Sequence, residues 1–258
     1  MKFERTEVWG FEHALRGMRN PLESWGKSDS YYGNNEIGLE SYVIGENDLE
    51  LAQRLIKAGE SHRKFLRQIF VSVDITAPLY WWKEFDTYKV GTVANSTSTM
   101  HKLASIPITK ECFEMNDFEN FGVNDCLMTA HWKYVIDTCE RLRQKYNETK
   151  DERYWKELIR LLPESWLQTR TVTMNYENIF NMIKYRNNHK LTEWSKSFID
   201  WAKSLPYAGE MLFVDKKPKI DLNMTYEAGI YKCKYNSGEE FESSDGKTWK
   251  KSYNKSKR

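Results

Sequence analysis

Cysteine is scarce in this chain of 258 residues: Cys112, Cys126, Cys139 and Cys233 lie far apart, with no Cys-x-x-Cys pair. That spacing excludes a zinc site built on paired thiolates and a disulfide framework, and leaves packed, reduced thiols as the expectation. Proline and glycine are sparse as well, six and 13 residues, and no internal repeat or low-complexity linker interrupts the sequence. No apolar run approaches the ~20 residues that a membrane helix needs. Basic and acidic residues nearly cancel, 39 against 37, and a net charge of +2 is too small to draw the chain to nucleic acid by bulk electrostatics. Also missing are a Gly-rich phosphate loop, a Ser-His-Asp order and an HExxH helix, so no familiar hydrolase or metal motif is present.

What is there belongs to a folded protein. A hydrophobic share of 40% with 29% charged residues, over this length, fills one large domain with room for a small appendage. The opening stretch MKFERTEVWGFEHALRGM mixes charge with apolar residues and lacks the apolar centre of a secretory leader, which makes a cytoplasmic protein the expectation. Aromatic residues reach 14%, including ten Trp and 15 Tyr, and gather in segments such as residues 78–88. Rings with a polar handle either line a nucleotide pocket by stacking or fill a core, and the sequence leaves both open.

Periodicity places the main elements. Asp48 is positioned to cap a helix over residues 48–58, with Leu49, Leu51, Ala52, Leu55 and Ile56 as its apolar stripe and Gly59 as its stop. Residues 68–76 alternate as a half-buried strand, Ile69, Val71, Val73 and Ile75 facing one way. Pro78 then opens an aromatic helix as a first-turn residue. A long helix is expected over residues 124–145, in which His131 shares a face with Leu127, Tyr134, Thr138 and Leu142 as a hydrogen-bonded core histidine. A shorter helix starts at Asp151 and stops before Pro163. A second strand is expected over residues 165–174, then helices over 175–185 and 191–205. The end of the chain differs in character. Eight basic and four acidic residues fall between Tyr231 and Arg258, around turns at Ser237-Gly238 and Asp245-Gly246, as in a small β appendage with a basic tail. The expected division is therefore a main domain over residues 1–220 and an appendage over 221–258.

Two stretches collect groups able to hold an anion. MRNPLESWGKSDSYYG, residues 18–33, brings together Arg19, Asn20, Ser24, Lys27 and Ser28, donors that suit a phosphate or a base edge. The same residues also describe a turn started by Asn20-Pro21 and closed by Ser28 and Asp29 on local backbone. Residues 95–99, Asn-Ser-Thr-Ser-Thr, either cradle a phosphate at a helix start or merely cap that helix. His101 and His189 have no carboxylate partner at a fixed spacing.

Several ordered blocks between Val8 and about Pro206 resemble the flavin-dependent thymidylate synthases. ALRGMR at residues 14–19 resembles that family's Ala-x-Arg-x-x-Arg helix. In SHRKFLRQ, His62 falls on the histidine opening the His-x-Thr-Pro-Phe-Glu-His block, with Lys64 and Arg67 replacing its Thr and Glu. VSVDITAP matches the following strand and its Ala-Pro ending. The signature Arg-His-Arg-x-x-Ser-x-Asn-x-x-Ser-x-Arg falls on altered residues: Thr87, Tyr88 and Lys89, then Thr92, Ala94, Thr97 and Thr99. Hydroxyls remain at both serine slots, Lys89 keeps a cation without the planar fork, and the last arginine is gone. Downstream, LLPESWLQTRTVTMNYENIFNMIKYRNNHKLTEW puts Pro163, Asn175, Asn181 and Arg186 in register, with Arg160 one residue from a further arginine slot.

The resemblance implies an α+β fold, an antiparallel sheet flanked by long helices. It implies His62, Lys89 and Asn175 facing FAD, and Arg19, Thr97, Ser98, Arg160 and Arg186 facing the nucleotide. The implied reaction passes a methylene group from methylenetetrahydrofolate to C5 of dUMP, with NADPH reducing FAD, in a homotetramer because that family builds each flavin site from several subunits. No residue is assigned as catalytic, and no metal is implied. None of the cysteines stands in a Pro-Cys-His context, which argues against the cysteine-dependent thymidylate synthase. Two alternatives stay open: an enzyme modifying another pyrimidine nucleotide, and a non-catalytic nucleotide-binding homologue that has lost flavin.

Overall fold

Period-two alternation of apolar residues builds the centre of the molecule. The computed structural model describes residues 1–34, 40–88, 90–115, 126–214, 225–227, 230–234, 240–243 and 250–251. The chain divides into two compact units, Met1–Leu212 and Phe213–Arg258. In chain order the larger unit contains β1 (Lys2–Trp9), α1 (Phe11–Arg19), β2 (Tyr31–Asn34), β3 (Glu40–Val43), α2 (Glu46–Ala58), β4 (Phe70–Pro78), α3 (Leu79–Phe85), β5 (Val93–Ser96), α4 (Thr99–Lys102), α5 (Cys126–Thr149), α6 (Glu152–Leu161), β6 (Leu167–Asn175), α7 (Tyr176–Arg186), α8 (Ile199–Lys203) and α9 (Ala208–Met211). In the smaller unit, β7 (Thr225–Glu227), β8 (Ile230–Lys234), β9 (Glu240–Ser243) and β10 (Lys250–Lys251) form a separate antiparallel sheet in the order β10-β9-β8-β7.

The main sheet runs β1-β4-β6-β5 and is antiparallel throughout. On β4, Val71, Val73, Ile75 and Ala77 are buried, as are Val172 and Met174 on β6. The opposite face is polar: the Thr76 and Thr169 hydroxyls lie 2.7 Å apart, and Thr171 donates to Asp74 at 2.6 Å. One dry face and one wetter face is the ordinary outcome of an antiparallel sheet. The strand starts at Phe70, later than alternation alone predicts, because Arg63–Gln68 curl into a 3-10 turn beforehand. Pro78 closes the strand in an extended conformation and precedes α3, so Leu79 rather than proline opens that helix.

Several aromatic residues fill the core, while others such as Trp9, Trp25 and Tyr185 are exposed. Trp81 stacks on Trp194 with ring centres 4.4 Å apart, Phe198 meets Trp194 edge-on at 5.2 Å, and Phe3 stacks on Trp201 at 4.7 Å. Residues 191–205 do not form the single α-helix that periodicity predicts: Glu193–Phe198 is a π-helical stretch continued by α8. Trp194 and Phe198, four residues apart on that stretch, are both buried.

A second cluster, Leu103, Ile108, Phe113, Cys139, Leu158 and Trp166, sits under the hairpin of α5 and α6. Glu140 fastens it by accepting from the Ile108 N–H and the Arg143 guanidinium, each at 2.7 Å, and from Gln144 at 2.8 Å. Arg143 above all, with these donors, pulls its carboxyl down to about 2. Asp151 caps α6 by accepting from the Arg153 N–H at 2.9 Å. Val135 and Ile136 of α5 pack against this cluster, whereas polar and apolar residues nearer the start of the helix face outward. Met128 is 43% exposed, Tyr134 64%, and His131 is exposed rather than a core histidine.

Candidate functional site

Two polar regions frame the candidate site. The first is a cleft between the end of α1, the segment after it, α2 and the turn Arg63–Gln68. Its geometry begins with a buried acid. Asp48 is 0% exposed and accepts from Arg19 Nε at 2.5 Å, Ser28 Oγ at 2.6 Å and Ser30 Oγ at 2.6 Å. Burial pushes its carboxyl up, yet the Ser28, Ser30 and Arg19 hydrogen bonds outweigh burial and hold it below the ordinary value. Asp48 is therefore no helix cap: α2 starts earlier, at Glu46, and Asp29 accepts from the Asn47 and Asp48 N–H groups at 2.9 and 3.1 Å. The segment 18–33 is in this respect structural. Arg19 is 4% exposed and has its charge matched by Asp48, with a second contact to the Ser24 carbonyl at 3.3 Å.

Above this buried pair lies a cleft of roughly 1040 Å³, whose lining includes Lys27, Arg54, His62, Lys64 and Gln68. Arg63, next to His62, points inward: it binds Glu177 at 3.0 Å and Asn181 at 3.3 Å and lies 4.5 Å over the Phe180 ring. That anchor to α7 fixes the turn and turns exposed His62 and Lys64 toward the cleft. Lys27, Arg54 and Lys64 are exposed and, among the described residues, form no ion pair or side-chain hydrogen bond. Arg54 is the residue that sequence reasoning missed. It sits beside the apolar stripe of α2 and looks like an ordinary solvated cation until α1 and the 3-10 turn are packed around it.

The second region is the corner between α3 and α7. Arg186 pairs with Glu84 at 2.8 Å, donates from Nε to the Tyr88 hydroxyl at 2.9 Å, and lies 5.2 Å over the Trp194 ring. His189 Nε2 stands 3.4 Å from the same Glu84 oxygen. Beside them, Arg170 pairs with Asp86 at 2.9 Å, takes Gln168 Oε1 at 3.0 Å and stacks 4.2 Å over Trp82. Glu84 and Asp86 escaped sequence reasoning because their cations lie far along the chain, where no local spacing links them. A shallow pocket of roughly 600 Å³ opens here beside Glu84, Lys184, His189 and Lys190, and it shares no lining residue with the first cleft.

The remaining expected residues fall in different places. Asn175 caps α7 in a reciprocal box with Asn178, at 3.0 and 3.1 Å. Asn178 also donates to the Val90 carbonyl at 2.6 Å, which ties the loop after Tyr88 to the helix start. In that loop Gly91 has φ +78°, and a Cβ there would come within 3.1 Å of Asn175 Nδ2, so the loop's close approach to buried Asn175 calls for glycine. Thr97 is exposed and extends β5, its N–H donating to the Thr169 carbonyl at 2.9 Å while its own carbonyl accepts from Gln168 at 2.9 Å. Ser98 caps α4 by accepting from the His101 N–H at 3.1 Å. Arg160 lies on the exposed side of α6, bound to Glu157 at 3.1 Å. Lys89 lies outside the described residues. Among the described residues, no three His, Cys, Asp or Glu side chains converge as a metal site would require.

No family model matches this sequence, and no curated protein matches it. Solved structures do. A flavin-dependent thymidylate synthase from Helicobacter pylori, complexed with FAD and dUMP, is similar over 83% of this chain and 98% of its own, with a TM-score of 0.59 and 18% identity. A second structure of the thymidylate synthase from that organism, also with FAD and dUMP, matches over 83% of this chain and 97% of its own, with a TM-score of 0.59 and 17% identity. The likeness shows the fold: an antiparallel sheet with long helices, as the ordered sequence blocks imply.

Proposed function

We propose that this chain, folded as a flavin-dependent thymidylate synthase, works as a divergent member of that class, methylating dUMP at C5 with methylenetetrahydrofolate and NADPH through FAD. The observation that carries the reading is the fold likeness over 98% of the Helicobacter pylori chain. The donors present fit the cofactor. A cleft of roughly 1040 Å³ that offers an imidazole, an amide and uncompensated cations matches a dinucleotide in size and charge. His62 and Asn175 are the residues to hold it, with Lys89 assigned to it by resemblance alone. When bound, FAD supplies hydride transfer, and the protein supplies position and field.

The chain's own groups divide the rest. Arg186 is the strongest candidate for the nucleotide, since Tyr88 and Trp194 hold its guanidinium in one place. Glu84 then has to yield to the incoming anion, because carboxylate and phosphate compete for the same fork. Thr97 and Ser98 offer hydroxyls near the β5 end, Arg160 a cation from α6, and Arg19 shapes the cleft wall through Asp48. Assembly as a cytoplasmic homotetramer goes with this reading. Among the described residues, no helix is long and apolar enough to cross a membrane.

The arginine held at the corner supports a second reading, a non-catalytic nucleotide-binding homologue in which Arg186 and the segment 18–33 hold a ligand and flavin is lost. The deciding experiment is the visible absorbance of the purified protein before and after incubation with FAD and desalting, followed by dUMP-dependent NADPH oxidation and mass spectrometry of the nucleotide. A retained flavin band with methylated dUMP supports the synthase. A flavin band with a different modified pyrimidine moves the reaction to another substrate. Absence of any flavin uptake sinks the flavin enzyme and leaves the nucleotide-binding homologue.

A further inference from the structure

Charge is distributed unevenly between the two polar regions. At the corner of α3 and α7, Arg170 and Arg186 each have a carboxylate within 3 Å, Asp86 and Glu84, and of the basic residues named there only Lys184 and Lys190, at the edge of the shallow pocket, form no ion pair among the described residues. At the cleft, Arg19 is matched by Asp48, but Lys27, Arg54 and Lys64 have no counter-charge among the described residues, and Glu23 is the one acid in the lining. Three cations from three separate elements line one concave surface: the 3-10 turn Trp25–Lys27, α2 and the 3-10 turn Arg63–Gln68. Unmatched cations lining one concave surface raise the local positive potential and draw an anion into it.

We propose that Lys27, Arg54 and Lys64 form a diphosphate clamp in this cleft, which takes the linked phosphates of a dinucleotide or a nucleoside diphosphate. The proposal deepens the reading above, on which it rests for the identity of the nucleotide, since it names the group that anchors it. A diphosphate is favoured over a single phosphate because two adjacent phosphate groups bring more negative charge to match three cations. Two of the three are lysines, point charges on flexible stems, so recognition is by charge more than by planar geometry and weakens as salt rises. The clamp also accounts for a departure in the sequence. Cations are missing at the Thr87 and Thr99 slots of the signature, while Lys64 places one where the flavin synthases have a hydroxyl.

The test is isothermal titration of the full-length protein with inorganic pyrophosphate, ADP and AMP, together with FAD retention by absorbance. Pyrophosphate and ADP are expected to bind, AMP about tenfold more weakly, with affinity falling steeply between about 0.05 and about 0.5 M salt. Lys64→Ala and Arg54→Ala should each weaken pyrophosphate about tenfold, and the triple variant with Lys27→Ala should abolish binding. All three residues are exposed, so circular dichroism should show an intact fold. Lys133→Ala, which removes an exposed pair with Asp137 on α5, should bind as the parent does. Wild-type affinity in the triple variant, or no pyrophosphate binding by the parent, overturns the clamp, whatever FAD does. Pyrophosphate binding that the variants remove, in a protein that retains no FAD, upholds the clamp and removes the flavin enzyme.

Discussion

The cleft at α1 and α2 and the corner at α3 and α7 carry similar numbers of basic groups, but the corner's arginines are matched by acids while most cations lining the cleft are not. Below the cleft, one buried acid, Asp48, settles Arg19 and leaves Lys27, Arg54 and Lys64 uncompensated. At the corner, Glu84 and Asp86 settle both arginines. A cation counted in sequence is thus no measure of a cation available to a ligand. The carboxylate that neutralises it is supplied by a distant element, and only the unmatched remainder attracts anions.

The largest effect should come from removing the acid beneath the cleft. Asp48→Ala leaves Arg19 buried without a partner and should cost about 3–5 kcal/mol of unfolding free energy, read from urea or guanidinium midpoints. Loss of less than about 1 kcal/mol would mean that Arg19 finds water or another acceptor instead. The pH dependence has a definite sign. Because Asp48 is held below its ordinary value of 3.8, its contribution is complete above that value and disappears as pH falls through the lower folded value. Asp48→Asn should therefore flatten this part of the acid limb of the stability curve.

A substitution at the corner sharpens the comparison from the other side. Glu84→Gln frees Arg186 and should tighten dUMP binding about tenfold, ~1.4 kcal/mol, without changing pyrophosphate affinity at the cleft. Unchanged dUMP affinity in calorimetry would place the nucleotide away from Arg186. The smallest effect is expected where the two regions are linked by the start of α7. Asn175→Ala removes the cap and should cost about 1 kcal/mol in thermal or denaturant unfolding, with flavin retention falling if the amide also faces the cofactor.

Much of the architecture was legible in the sequence. Alternation located β4, with its inward Val71, Val73 and Ile75, and the Asp151 cap located the start of α6. The ordered blocks pointed to the fold, since each is a local pattern of burial or a turn that the chain writes within a few residues. Local logic also misled. Asp48 has the right position for a cap but is drawn inward by Arg19, Ser28 and Ser30, and its place on the helix start is taken by Asp29. His131 lies on an apolar-looking face of α5 that the fold leaves exposed.

The sequence by itself determined the periodic elements, their order and the residue types available for chemistry, because these depend on neighbours a few positions apart. Tertiary structure decided which charges remain free. Glu84 meets Arg186, Asp86 meets Arg170 and Arg63 meets Glu177 only when α3, β6, α7 and the 3-10 turn pack together. Charge pairing depends on distance in space, and that distance is set by the packing of whole elements rather than by spacing along the chain.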